Sequence, residues 1–84
     1  MKIALDYDGT YTVDRRFWDN VIDLALAAGH EIAFVTKRYP EESIEVPHGV
    51  KVYYMSRRLK LNCMFHPDIW IDNNPIDIVK DSVF

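Results

Sequence analysis

The chain has 84 residues, 49% of them hydrophobic and 13% aromatic, and carries a formal net charge of −3. That composition excludes disorder and fits one small domain spanning residues 1–84. The acidic balance, with no basic stripe, argues against a nucleic-acid scaffold role. Cys63 is the sole cysteine, so no internal disulfide is possible and a reducing compartment is expected. No stretch approaches the ~18 apolar residues of a membrane span, and the first residues lack a signal-peptide pattern. The expectation is a soluble, cytoplasmic protein with no membrane partner.

Taken in chain order, the first predicted strand covers about Lys2–Tyr7 and stops at two carboxylates and a glycine, in Asp6-Tyr7-Asp8-Gly9-Thr10. Two acids this close repel each other, and the usual reason to keep them together is a hard cation such as Mg2+ bound through oxygen. Asp14 is placed to cap a helix whose apolar face is Phe17, Val21, Leu24, Ala25 and Ala28, with Gly29 ending it. Ile32–Thr36 is the second strand, followed by a loop, one helical turn over Glu41–Ile44 and a turn at Pro47-His48-Gly49. Val50–Tyr54 is the third strand, with Tyr53 and Tyr54 on opposite faces. Ser56 is expected to cap a short helix running to about Met64, broken by Pro67. Ile69–Ile71 is the fourth strand, ending in the turn Asp72-Asn73-Asn74-Pro75. A last turn or strand is expected over Ile76–Lys80, and fraying with some packing of Phe84 after it.

Alternating strands and helices point to an α/β fold with a parallel sheet and right-handed crossovers. The second crossover is short, so one sheet face should be thinly covered. In such a sheet ligands bind beyond the carboxyl ends of the strands. Asp6 and Asp8, Thr36, and Asp72 with Asn73 all fall at those ends, and Lys60 approaches from the preceding segment. Carboxylates, a hydroxyl and a cation suit a bound metal and a phosphoryl group. His30, His48 and His66 share no metal-ligand spacing, Cys63 fits a core position, and Trp18 and Trp70 fit packing.

These motifs resemble those of the haloacid dehalogenase-like (HAD) superfamily. Asp6-Tyr7-Asp8-Gly9-Thr10 is similar to its first motif, Phe34-Val35-Thr36 to its second, and Trp70-Ile71-Asp72-Asn73-Asn74-Pro75 to its acidic fourth. The resemblance implies a small Rossmann-like three-layer sandwich of about four mainly parallel strands, without a cap domain. It implies a Mg2+-dependent phosphohydrolase in which Asp6 is the nucleophile, forming an aspartyl phosphate, and Asp8 is the general acid and then base. Thr36 and Lys60 would bind the phosphoryl group. Asp6, the Asp8 carbonyl and Asp72 would hold Mg2+. For Asp8 to act as an acid, its pKa must be raised by burial or nearby negative charge.

Three departures from the family pattern stand out. The strand end reads Asp72-Asn73 where the family often carries two acids; Asn73 can still accept through its carbonyl oxygen, and Asp77, five residues beyond Asp72, matches another family spacing. The lysine lacks a clear motif: Lys60 fits best, with Arg57, Arg58 and Lys37 as rivals. No cap fits between the motifs, so the site should be open. It would then meet a macromolecular substrate, a small phosphate ester, or a second copy that covers it, with Lys37, Arg38, Arg15 and Arg16 candidates for its rim. A different class of function, a non-catalytic phosphate- or metal-binding regulatory module, would keep the same cluster. A receiver-type phospho-acceptor fits less well, because its accepting aspartate lies on a later strand than this motif.

Overall fold

A computed structural model describes residues 1–47 and 49–79. The end of the expected last turn at Lys80, the expected fraying over residues 81–84 with packing of Phe84, and the turn position of His48 lie outside the described residues. Four strands form one all-parallel sheet in the order β3-β2-β1-β4: β1 (Lys2–Leu5), β2 (Glu31–Thr36), β3 (Lys51–Tyr54) and β4 (Ile69–Ile71). The helices are α1 (Arg15–Ala27) and the one-turn α2 (Ile76–Val79). The expected small Rossmann-like α/β fold is observed. No helix among the described residues is long and apolar enough to cross a membrane.

The strand order decides where a site can form. The chain steps from β1 to β2 to β3 in one direction, then crosses to the other side of β1 for β4. That reversal opens a crevice beyond the carboxyl ends of β1 and β4. Leu5 is in register with Ile71, so the residues after each, Asp6 and Asp72, enter this crevice side by side. The backbone N–H of Asp6 donates to the Ile71 carbonyl at 2.9 Å, which locks that alignment.

Alternation along the strands divides the core in two. One face carries Ile3, Leu5, Ile32 and Phe34 and packs against Tyr7, Tyr11, Ile22 and Ala25. The other carries Ala4, Ala33 and Val35 and packs against Cys63 and Phe65. A helix covers the first face. The second is covered by the irregular segment between β3 and β4, which holds only a 3-10 turn at Lys60–Asn62. The sequence ties thin cover to the short β2–β3 crossover, but Ile44, Val46 and Val50 of that crossover join α1 on the first face.

The expected helix from Ser56 to Met64 does not form. Ser56 and Arg57 take φ of +52° and +65°, a left-handed pair that turns the chain away from a right-handed helix. Nor does Glu41–Ile44 make a helical turn; Glu42 instead accepts from the Tyr39 N–H at 2.9 Å through its side chain.

The first helix starts as expected, with Asp14 accepting from the Phe17 N–H at 3.1 Å, and ends before Gly29 at φ +84°. Its buried face is different from the one read in the sequence. Ile22 and Ala25 are buried and Trp18 packs beside them, whereas Phe17 and Leu24 are 53% and 71% exposed. The helix is apolar on two sides, so periodicity alone offers two phases. The stacked rings of Tyr7 and Tyr11, with Phe34 edge-on to both, select the phase that meets them.

Candidate active site

The crevice between β1 and β4 is floored by a buried ion triad. Lys60 Nζ lies 2.6 Å from Asp6 Oδ1 and 2.6 Å from Asp72 Oδ2, with all three side chains at most 8% exposed. The 3-10 turn delivers this lysine from the face that the irregular segment covers, a short route that a regular helix is not needed to provide. Two carboxylates around one ammonium leave the triad with a net negative charge. Burial pushes the Asp6 carboxyl above its ordinary pKa; Lys60 opposes that shift and the charge of Asp72 adds to it. An ammonium has three N–H donors. Asp6 and Asp72 take two, so one remains for an incoming anion.

The other oxygen of Asp6 is equally constrained. Thr10 Oγ1 donates to Asp6 Oδ2 at 3.0 Å and accepts from the Asn73 N–H at 3.1 Å. This buried threonine ties the first strand end to the fourth. Gly9 makes the closeness possible: a Cβ there would fall 2.6 Å from Asn73 Nδ2, and its φ is +84°. Thr10 and Gly9 belong to the quoted motif, but their joining of two strand ends depends on a contact across 63 residues that no local pattern reveals.

Thr36 is buried at the end of β2 and lines the same cleft. Its Oγ1 accepts from the Arg38 N–H at 3.3 Å, leaving the hydroxyl proton for an anion. The cleft measures about 310 Å³ and is lined by Asp6, Asp8, Thr36, Lys37, Arg38 and Arg57, among others. Of the rim candidates, Lys37 and Arg38 line the cleft. Arg15 does not: it stacks on Tyr7 and Tyr11 and donates to the Tyr7 hydroxyl at 3.0 Å. Asp77 lines the cleft too, but is tied to Lys37 at 3.3 Å and to the Asn74 amide at 3.1 Å.

Asp8 departs from the electrostatics expected of an acid. Arg38 grips it with two bonds of 2.8 Å, from Nε and Nη2, and holds its carboxyl below the ordinary range. The raised pKa in this motif falls on Asp6 instead. The physical reason is position: Asp6 is sealed under the sheet edge, while the Asp8 side chain is 52% exposed and within reach of a guanidinium.

Among the described residues no three His, Cys, Asp or Glu side chains gather as a metal cage. The inward atom of the Asn73 amide lies 2.8 Å from Asp6 Oδ2 and 3.3 Å from the Asp8 carbonyl oxygen, surroundings that favour nitrogen inward, donating to both. Rotation of the amide would bring its oxygen beside these two acceptors, and that set of three oxygens would fit a hard divalent ion. Asp72 lies outside this set: its Oδ2 is on Lys60 and its Oδ1 accepts from the Asn74 N–H at 2.9 Å. Comparison of the chain with protein-family models, curated proteins and solved structures finds no match.

Proposed function

We propose that the protein is a Mg2+-dependent phosphohydrolase of the HAD type, acting on phosphate esters through an aspartyl phosphate at Asp6. The observation that carries this reading is the buried Asp6–Lys60–Asp72 triad, of which Asp6 and Lys60 line a cleft that also holds Thr36. A phosphate ester entering the cleft would meet the free N–H of Lys60 and the Thr36 hydroxyl, both aimed at phosphoryl oxygens. A carboxylate oxygen of Asp6 then attacks phosphorus as the ester P–O bond breaks, and the leaving oxygen takes its proton from the Asp8 carboxyl. Water next gives a proton to Asp8 as its oxygen attacks the acyl phosphate, releasing phosphate and restoring both carboxyl groups. When bound at Asp6, the Asp8 carbonyl and Asn73, Mg2+ supplies the positive charge that offsets repulsion between carboxylate and phosphate.

Thr10 and Lys60 fix the nucleophile in position before substrate arrives, so little ordering remains for the chemical step. Arg38 keeps Asp8 ionised, the form from which the base role starts. Its acid role requires Arg38 to release it. The test is phosphate release from a panel of phosphate esters with Mg2+, for the wild type beside Asp6→Asn and Asp8→Asn. The wild type is expected to turn over, Asp6→Asn to be inactive, and Asp8→Asn to be slowed. Full activity in Asp6→Asn overturns the assignment.

The grip of Arg38 on Asp8 favours a second reading, a regulatory module that binds phosphate or metal without hydrolysing it. Mg2+ binding by calorimetry, with no release from any ester of the panel, would select that reading.

A further inference from the structure

Four cations, Lys37, Arg38, Arg57 and Lys60, line the cleft, each already paired with a carboxylate, in a chain whose net charge is −3. Lys60 belongs to the buried floor and Lys37 is paired with Asp77. Arg38 and Arg57 are the two cations on the mouth that combine planar guanidinium forks with partial exposure, 32% and 54%. Each is parked on a replaceable partner: Arg38 on Asp8, and Arg57 on the Glu42 carboxylate at 2.9 Å.

The Arg57–Glu42 pair is exposed, and such a pair contributes roughly 0–1 kcal/mol, so an incoming anion exchanges with it at little cost. The bidentate Arg38–Asp8 pair is stronger and yields only to an anion that offers two oxygens of its own. The aromatic rings beneath the guanidiniums keep both forks in place during such an exchange. Arg38 lies over Tyr7 at 5.6 Å and Arg57 over Tyr39 at 5.4 Å. The backbone supports the same arrangement. Two consecutive left-handed residues, Ser56 and Arg57, cost stability in non-glycine residues, and they follow the end of β3 where Arg57 lines the cleft. This segment is tied to the β2 loop by the Arg57 N–H, which donates to the Lys37 carbonyl at 2.7 Å.

We propose that Arg38 and Arg57 form a second anion subsite at the cleft mouth, selecting small phosphate esters that carry another anionic group. The proposal rests on the phosphohydrolase reading for its substrate, and the subsite itself is a binding claim. The second group is a carboxylate or a further phosphate, both of which accept a guanidinium fork through two oxygens. At about 310 Å³ the cleft is at the small end of ligand pockets, which favours a compact ester with its two anions close together.

The test is calorimetric binding of three unhydrolysable probes at fixed free Mg2+: methylphosphonate, phosphonoacetate and methylenediphosphonate. At least one bis-anionic probe is expected to bind tenfold or more tightly than methylphosphonate in the wild type. Which one wins tells a carboxylate from a phosphate. The advantage should fall below threefold in Arg38→Gln and in Arg57→Gln, and be partly kept in Arg38→Lys, with thermal melting confirming that each variant is folded. Equal affinities in the wild type, an advantage that survives both glutamine variants, or no binding of either bis-anionic probe overturns the subsite. Ester hydrolysis is scored separately: a bis-anion preference without hydrolysis keeps the subsite and removes the phosphohydrolase reading.

Discussion

The floor of the cleft and its mouth use the same residue types in opposite ways. On the floor, Lys60 is sealed between Asp6 and Asp72, and Thr10 holds the remaining oxygen of Asp6. At the mouth, Arg38 on Asp8 and Arg57 on Glu42 are ion pairs open to solvent. A buried pair is costly to break because the survivor is left uncompensated. An exposed pair is cheap to exchange. The floor therefore sets geometry once, at folding, and the mouth stays free to answer a ligand.

Breaking the floor should have the largest effect. Lys60→Met leaves two buried carboxylates facing each other, and a loss of about 3–5 kcal/mol is expected. For a domain of this size that is a fall in Tm of at least ~12 °C, read by thermal unfolding. Adding Asp72→Asn should recover part of the loss, because it removes one of the orphaned charges. If Lys60→Met melts with the wild type, the triad does not organise the floor.

Next in size is the glycine that lets the two strand ends approach. Gly9→Ala places a Cβ 2.6 Å from the Asn73 amide in a left-handed backbone. The backbone strain alone should cost about 1–2 kcal/mol, measured by urea unfolding. At the mouth, Arg38→Gln should change stability by less than ~1 kcal/mol.

Titration sharpens the contrast further, because the two acids of one motif shift in opposite directions. Asp6 holds its proton more tightly folded than unfolded, so the native state binds more protons above the ordinary carboxylate value of 3.8. Its contribution to stability therefore falls as pH rises through that window up to the raised pKa. Asp8 is depressed by Arg38, so its contribution is present above the ordinary value and lost as pH falls through the lowered one. Urea unfolding against pH should show Asp6→Asn removing the first dependence and Asp8→Asn the second.

Much of the floor is legible in the sequence. Asp6, Thr36 and Asp72 each end an apolar strand, and parallel topology brings strand ends together. Lys60 stands out by its position ahead of Asp72, although it arrives on a 3-10 turn and not on the expected helix. The mouth is less legible. Nothing local pairs Arg38 with Asp8 across 30 residues, and the left-handed backbone of Ser56 and Arg57 carries no glycine to announce it. The phase of α1 escapes the sequence for a related reason: Phe17 and Leu24 look as apolar as Trp18 and Ile22, and only the rings they meet decide between them. Local pattern locates strand ends; it does not say which side chains meet across them.

The central claim is that Asp6 is the group that receives the phosphoryl. The most direct measurement is to quench the protein in acid during reaction with an aryl phosphate and Mg2+, reduce with borohydride, and map the modified peptide by mass spectrometry. Reduction of an acyl phosphate at Asp6, absent in Asp6→Asn, is the expected result. Modification at Asp8 or Asp72 instead, or hydrolysis that continues unchanged in Asp6→Asn, would contradict the account.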